Sequence, residues 1–161
     1  MARGNGIIVS SEPRGVFKEG TLTGALKPGI ICQVDISEGL DSNGNFTYEP
    51  FNSSADGVRP IGPFLILLHD NLRGNLSTTA YASGDHGFLY VPVAGEEFNC
   101  IIGDVAGTGD DHTFGEVLIV DDGTGELITT TGTPECEPFM LLEAITDPTA
   151  DTLAHVIYSG Y

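Results

Sequence analysis

Basic residues are scarce in this chain and absent from its second half. The 161 residues contain 6 Lys and Arg against 23 Asp and Glu, a formal net charge of −17. All six basic residues lie before position 74, so residues 1–73 carry 6 − 8 = −2 and residues 74–161 carry −15. A chain of this charge repels phosphate and offers no basic stripe, so nucleic acid is not an expected partner. The asymmetry fits an acidic surface that keeps the protein soluble, a near-neutral N-terminal part that touches a partner, or both.

Cysteine is also sparse. Cys32, Cys100 and Cys136 are an odd number without a Cys-x-x-Cys spacing, so neither a disulfide framework nor a zinc site is expected. Cys32 and Cys100 lie in apolar stretches, and we expect both to be buried free thiols. The four histidines have none of the spacings typical of zinc ligands, which agrees with the prediction that no metal is bound.

Long apolar runs are missing. No stretch of 18 apolar residues occurs, so no transmembrane helix is expected. The first six residues, Met-Ala-Arg-Gly-Asn-Gly, lack the apolar segment of a signal peptide. We therefore expect no membrane partner.

Motifs for catalysis are absent as well. No serine stands in a Gly-x-Ser-x-Gly elbow, and Gly107-Thr108-Gly109 is followed by Asp-Asp-His rather than by the rest of a phosphate-binding fingerprint. With 23 acids, carboxylate pairs arise by chance, and the lack of tryptophan argues against a sugar-stacking cleft of a glycosidase. We predict that the protein is not an enzyme, has no catalytic residues and needs no cofactor.

Three acidic segments could in principle bind a hard cation. The segment Asp41–Asn45 resembles the opening of a calcium loop, but its glycine comes fourth instead of sixth, which favours a hairpin turn. The acids at 110–111 and 121–122 are more typical of solvated loops. No metal site is predicted at any of them.

The residues that are abundant indicate an all-β fold. Glycine occurs 22 times without a period, and charged helix formers are few. Short apolar runs alternate with turn signals, and the best is a hairpin around Asp121–Gly125. We predict a compact β-sandwich or barrel (jelly-roll-like), with no helix longer than about two turns and no internal repeat. The predicted strand segments are Ile30–Ile36, Phe46–Phe51, Phe64–Leu68, Thr78–Ala82, Phe88–Val93, Glu97–Ile102, the hairpin Val117–Ile128, Phe139–Ile145 and Leu153–Tyr158.

The first 28 residues differ from the rest. Gly and Pro interrupt them every few positions, and they carry +4 − 2 = +2, the only clearly positive segment. We predict an extended N-terminal arm over residues 1–28, with a short strand or two, followed by a single β-domain over residues 29–161.

The order of these elements resembles small decoration (cement) proteins of tailed-bacteriophage heads. The resemblance covers most of the chain and rests on the order and spacing of segments that are weakly specific alone. After the Gly/Pro-rich arm these segments are Leu26–Ile31, Tyr90–Phe98, the hairpin strands Gly115–Val120 and Gly125–Ile128, Phe139–Ala144 and Leu153–Tyr158.

The resemblance implies a structural protein made in the host cytoplasm and located on the outer surface of the virion capsid. Such proteins bind the major capsid protein, clamp neighbouring subunits and stabilise the head, commonly as homotrimers, with a dimer as the alternative. Arms of this kind add strands to a partner. The capsid-contact role would then fall on seven residues of the arm, which are Arg3, Ile7, Ile8, Val9, Arg14, Lys18 and Lys27. Another virion surface module, such as a head fibre base or a carbohydrate-binding β-protein, remains the alternative.

Overall fold

The computed structural model confirms the all-β prediction. It describes residues 7–9, 12–52, 63–69, 79–103, 111–129, 138–146, 148 and 152–160. No helix within these ranges is long and apolar enough to cross a membrane. The strands of the described chain are β1 Val16–Leu22, β2 Ile31–Val34, β3 Thr47–Pro50, β4 Leu65–Leu67, β5 His86–Val91, β6 Glu97–Ile102, β7 Val117–Val120, β8 Leu127–Thr129, β9 Phe139–Leu141 and β10 Thr152–Tyr158.

The strands close into two small barrels. The first has the order β1-β3-β2-β4-β5 and the second the order β6-β8-β7-β9-β10, each closed by pairing of its first and last strands. In both barrels the first and third strands of the unit are parallel and every other pair is antiparallel. The two halves of the chain therefore share one topology, and the prediction of no internal repeat was wrong.

The strand registers repeat as well. Leu22 faces Tyr48 in the first barrel as Ile102 faces Leu127 in the second, so Leu22 is equivalent to Ile102. The pairing can be traced from strand to strand around each barrel, starting at Leu22 in the first and at Ile102 in the second. The trace returns to the starting strand at Lys18 in the first barrel and at Phe98 in the second. Both lie four residues before the starting residue, since 22 − 18 = 102 − 98 = 4. The equivalent pairs along the way are Tyr48 and Leu127, Val34 and Val120, Cys32 and Leu118, Leu65 and Phe139, Leu67 and Leu141, and Leu89 and Val156.

Alternation along the strands fills each barrel with apolar side chains, because successive residues of a strand point to opposite faces. The first barrel encloses a cluster that includes Leu22, Cys32 and Leu89. The second encloses a larger cluster that includes Phe98, Leu118 and Val156. Residues on the outer face of the first barrel belong to this larger cluster too, namely Ile31, Ile66 and Tyr90. The second barrel thus packs against the outside of the first.

Backbone hydrogen bonds join the barrels at the β7–β8 turn. The amide of Ile31 donates to the carbonyl oxygen of Gly125 at 2.8 Å, and the amide of Gly123 donates to that of Phe51 at 2.7 Å. Gly125 has φ +71°, and a Cβ there would lie 2.2 Å from the Ile31 carbonyl oxygen. Only glycine permits this approach.

Several predicted strands are confirmed, but the hydrophobic pattern did not predict the ends of all of them. β6 has the predicted bounds, β4 is buried on both faces, and β7 and β8 form the predicted hairpin. The predicted strands at Ile30–Ile36 and Phe46–Phe51 were too long, because Ile36 and Phe46 are 50% and 55% exposed beyond β2 and β3. The Asp35 carboxylate accepts hydrogen bonds from the amides of residues 37 and 38 and so starts a turn.

The strand predicted at Thr78–Ala82 was wrong for its described residues, 79–82, which form none. Tyr81 instead exchanges two backbone hydrogen bonds with Leu26, and its ring is buried in the core of the first barrel. Apolar residues at this point in the chain therefore reflect burial of a connection and not a strand.

The predicted arm is placed largely within the first barrel. β1, from Val16 to Leu22, pairs with β5 over six residues and with the start of β3. Closure of the barrel depends on these pairings, so the boundary at residue 28 does not separate an arm from a body. The predicted single domain over residues 29–161 contains the rest of the first barrel and all of the second.

We predict that Gly125→Ala is more destabilising than Gly123→Ala. Both glycines have positive φ in the same turn, so alanine at either costs roughly 1–2 kcal/mol in backbone strain. Only at position 125 does the new Cβ also meet the first barrel, which adds about 1–3 kcal/mol of overpacking. Denaturant unfolding of the two variants measures the difference, and equal losses would contradict the described contact between the barrels.

Candidate binding surfaces

The N-terminal segment Ile7–Val9 lies along the edge of β6. β6 pairs with β8 only at Ile102, which leaves the earlier part of this edge to another strand. Asn99 donates its amide hydrogen to the Ile7 carbonyl at 2.7 Å, and Val9 donates to the Glu97 carbonyl at 2.9 Å. Ile7 is fully buried in the larger core. Three predicted capsid-contact residues, Ile7, Ile8 and Val9, thus add a short bridge to their own chain.

Arg14 is also bound to the body of the protein. Its backbone amide donates to the Glu96 carboxylate, and its guanidinium donates to the Ala94 carbonyl at 3.0 Å. The next amide, that of Gly15, donates to the Tyr90 hydroxyl. These contacts hold the start of β1 against the connection between the two barrels.

Glu96 is the centre of this junction. The side chain is 1% exposed, and its carboxylate also accepts hydrogen bonds at 2.8 Å from the Tyr90 hydroxyl and the Val93 amide. Burial acts to raise the pKa of Glu96, but the hydrogen bonds to its carboxylate outweigh it and hold the pKa below its ordinary value. Burial and the bond to Glu96 raise the pKa of Tyr90. The buried charge is therefore compensated, and Glu96 joins Arg14 to Tyr90 and Val93, which are distant from Arg14 in the chain.

The remaining basic residues of the predicted arm are dispersed. Lys18 is exposed on β1, where it pairs in register with Leu89. Lys27 is half-buried in the connection to β2. Arg3 lies outside the described residues. Arg14 and the Ile7–Val9 segment thus lie at the junction. Among the described arm residues, Lys18 is the basic residue that is clearly exposed away from it.

The acidic segment Asp41–Asn45 forms a turn stabilised within the chain. The Asp41 carboxylate accepts hydrogen bonds from the Thr21 hydroxyl at 2.7 Å and from the amides of Asn43 and Asn45 at 2.8 Å. The Thr21 bond and the backbone bonds lower the pKa of Asp41 far below its ordinary value. The expected hairpin turn is confirmed, and its carboxylate oxygens are used by local donors.

Groups with metal-ligating chemistry are scattered. Among the described residues no three His, Cys, Asp or Glu side chains are close enough to hold a metal ion together. His155 lies 2.9 Å from Glu97, while His86 and His112 lie 3.4 Å from Glu19 and Glu116. These pairs are in separate places.

Exposed apolar side chains are the feature that sequence reasoning missed. One group surrounds the β2–β3 connection and another precedes and begins β7. The first group is Ile36, Leu40 and Phe46, and the second is Phe114 and Val117. The sequence did contain a signal for the first group. The Val-Asp-x-x-x-Gly pattern occurs at 34–39 and again at 120–125, and it marks two equivalent turns.

Comparison with known proteins identifies a fold relative. No protein-family model matches the chain, and no curated protein matches it in sequence. The chain is similar in structure to the N base of the head fibre protein gp8.5 of bacteriophage phi29, with a TM-score of 0.53 at 11% identity. The match covers 91% of this chain and 95% of that one. At this identity the likeness concerns the fold, and it extends over both barrels.

We predict that Glu96→Gln lowers the free energy of unfolding by about 2 kcal/mol at neutral pH, because charge-assisted hydrogen bonds at a buried site are lost. The pKa of Glu96 lies below its ordinary value of 4.5 in the folded protein. Its contribution is therefore present above pH 4.5 and is lost as the pH falls through the lowered folded value. Chemical unfolding at a series of pH values should show the wild type and the variant converging in acid.

Glu38→Gln is the matched control for this substitution. Glu38 is exposed and its side chain accepts no hydrogen bond from the described residues around it. A change within about 0.5 kcal/mol is expected for such a surface site. If both variants lost the same stability, or if the Glu96→Gln deficit did not shrink in acid, the described role of Glu96 would be wrong.

We predict that Cys32 and Cys100 resist alkylation in the folded protein. Both thiols are fully buried, and burial raises their pKa far above the ordinary value, so thiolate is scarce. Peptide mapping after iodoacetamide treatment at mildly alkaline pH should find both unmodified in native protein and modified after denaturation. Modification of either at the same rate in both states would show that the core is open.

Proposed function

We propose that the chain is a capsid decoration protein that binds the outer surface of an assembled phage head and stabilises it by clamping neighbouring major capsid subunits. In this proposal the protein acts by binding alone and is not an enzyme. Its partners are the major capsid protein and further copies of itself, as a homotrimer.

The observation that carries the proposal is the fold likeness to a phage head fibre base. The likeness spans both barrels and leaves little of either chain unmatched. Because the match to the fibre base extends over nearly the whole chain, it supports a role in attachment to a shell.

The order of elements along the chain supports the same role, as does the charge. Every basic residue lies before position 74, and the acidic second half would remain well solvated on a particle surface. Lys18 is exposed at the N-terminal side of the first barrel and suits an acidic group on a shell. We assign the shell contact to the side that carries Lys18 and, from the sequence, to Arg3 within residues 1–6.

A head fibre base is the second candidate, because the structural relative is the N base of a phage head fibre protein. A base anchors a projecting element to the head, whereas a decoration protein increases the stability of the shell. The two roles share attachment and differ in their effect on the particle.

We predict saturable binding to undecorated, expanded heads of the phage that encodes the chain, and a higher disruption temperature for the decorated shell. Cosedimentation measures the first and differential scanning calorimetry the second. Binding with an unchanged disruption temperature would favour the fibre base. Absence of binding, with a positive signal on a glycan array, would favour a carbohydrate-binding module.

The contact residues need their own variants. Deletion of residues 1–28 is unsuitable because it removes β1 and opens the first barrel. Deletion of residues 1–6 and the substitution Lys18→Glu should each weaken shell binding while the melting temperature of the free protein is retained. Glu12→Gln, at an exposed acid six residues before Lys18 in the chain, is the control. Unchanged shell affinity in both test variants would refute the assigned contact side and leave attachment itself intact.

A further inference from the structure

The two barrels share turn geometry as well as topology. With Leu22 aligned to Ile102, the turn Asp35–Gly39 is equivalent to the turn Asp121–Gly125. Gly39 donates its amide hydrogen to the Asp35 carbonyl at 3.0 Å, and Gly125 donates to the Asp121 carbonyl at 3.1 Å. The two glycines have φ +68° and +71°. We name Asp121–Gly125 the inner turn and Asp35–Gly39 the outer turn.

The inner turn docks on one edge of the first barrel, the segment Gly29–Ile31, which we name the inner edge. Ile31 donates its amide hydrogen to the Gly125 carbonyl at 2.8 Å. Gly29 also lies close to the second barrel, since a Cβ there would lie 3.0 Å from Leu153 Cδ2 and 3.2 Å from the Asn99 carbonyl oxygen. One positive-φ glycine on each side therefore marks the contact between barrels.

The second barrel has the equivalent of this edge. Gly115 corresponds to Gly29, has φ +84° against +93°, and donates to the Leu141 carbonyl as Gly29 donates to that of Leu67, both at 2.8 Å. We name Gly115–Val117 the outer edge. A Cβ built on Gly115 or on Gly39 meets nothing within 4 Å. The outer turn and the outer edge thus repeat the two halves of the internal contact, but in the described part of one chain neither of their glycines is covered as Gly125 and Gly29 are.

Apolar side chains are exposed at both outer elements. Around the outer turn, Ile36, Leu40 and Phe46 are 50%, 56% and 55% exposed, and at the outer edge Phe114 and Val117 are 70% and 36% exposed. Pro28 and Ile31, which correspond to Phe114 and Val117, are both buried, and Ile31 belongs to the apolar cluster of the second barrel.

A second correspondence extends the outer edge into a face. Ile31, Ile66 and Tyr90 lie in register across β2, β4 and β5 and are fully buried against the second barrel. Val117, Met140 and Ile157 lie in the same register across β7, β9 and β10. Met140 and Ile157 are half-buried and Val117 is exposed. The second barrel therefore presents, partly uncovered, the apolar face that the first barrel buries.

We propose that the outer turn of one copy docks on the outer edge and apolar face of a second copy, repeating between chains the contact that joins the two barrels within a chain. Such a contact uses different surfaces on the two partners, so copies associate head to tail and close into a ring if the rotation between them permits. The proposal goes beyond attachment to a shell and needs no shell to be tested.

One difference from the internal contact follows from the longer β2–β3 connection, residues 35–46 against 121–126. Ile101 donates its amide hydrogen to Gly29 in the internal contact, but the equivalent amide, that of Thr21, donates to the Phe46 carbonyl of its own barrel. The contact between copies therefore rests on the turn and on apolar burial, with Leu40 and Phe46 adding surface that the inner turn lacks.

Two single substitutions separate the two surfaces. Ile36→Asp places a charge on the outer turn and leaves the outer edge intact, and Phe114→Asp does the reverse. We expect the wild type to form a defined oligomer in sedimentation velocity and light scattering, and each variant alone to be a monomer of 16.9 kDa. An equimolar mixture should form a complex of 2 × 16.9 = 33.8 kDa, because one intact turn then meets one intact edge.

Val16→Asp is the control, since Val16 is 55% exposed and lies outside both surfaces, and it should retain the oligomer of the wild type. Circular dichroism melting verifies the fold, and Leu40→Asp with Val117→Asp form a second complementary pair. A wild type that stays monomeric at high micromolar concentration would overturn the proposal. It would equally be overturned if the paired variants stayed monomeric on mixing, or if the variants oligomerised like the wild type. Each of these results is independent of whether the protein binds a phage head.

Discussion

The packing of the second barrel against the outer face of the first is the contact on which the rest of the structure depends. Each barrel has five strands of three to seven residues, so neither encloses a large core. Ile31, Ile66 and Tyr90 point out of the first barrel and enter the same apolar cluster as the interior of the second. The close approach at Gly125 lets backbone bond to backbone at this contact. The two barrels are therefore parts of one packed body and share its stability.

The N-terminal segment strengthens the same contact. Ile7–Val9 bonds to β6 of the second barrel, and β1, a few residues later, belongs to the first barrel. Between them, the amides of residues 14 and 15 bond to Glu96 and Tyr90 at the connection between barrels. A buried carboxylate is tolerated there because several donors converge on it. The segment predicted to be an extended arm is, from residue 12 to 22, part of the body.

A repeated unit also explains where apolar surface is left uncovered. When the two halves of a repeated structure bind each other, each half uses a different one of its two contact surfaces. The other surface of each half, equivalent to the one that its neighbour uses, is left uncovered. The outer turn with Ile36 and the outer edge with Phe114 are these surfaces, and their exposed apolar side chains fit a protein that associates with its own copies. Association of this kind suits the proposed role on a shell, because several weak contacts to a regular surface add when the copies are joined.

The sequence by itself determined the all-β class, the β6 strand, the buried β4 run and the β7–β8 hairpin, because alternation, β-branched residues and turn glycines act locally. It also excluded recognisable catalytic and zinc-binding motifs. Strand ends at Ile36 and Phe46 were misplaced, because whether an apolar residue is inside depends on turns set by side chains such as Asp35. Only the tertiary structure decided the membership of β1 in the first barrel, the junction at Glu96 and the repeat. At the first two of these the partners are distant in the chain. For the repeat, most of the equivalent core positions hold different residues in the two barrels, as Tyr48 and Leu127 illustrate.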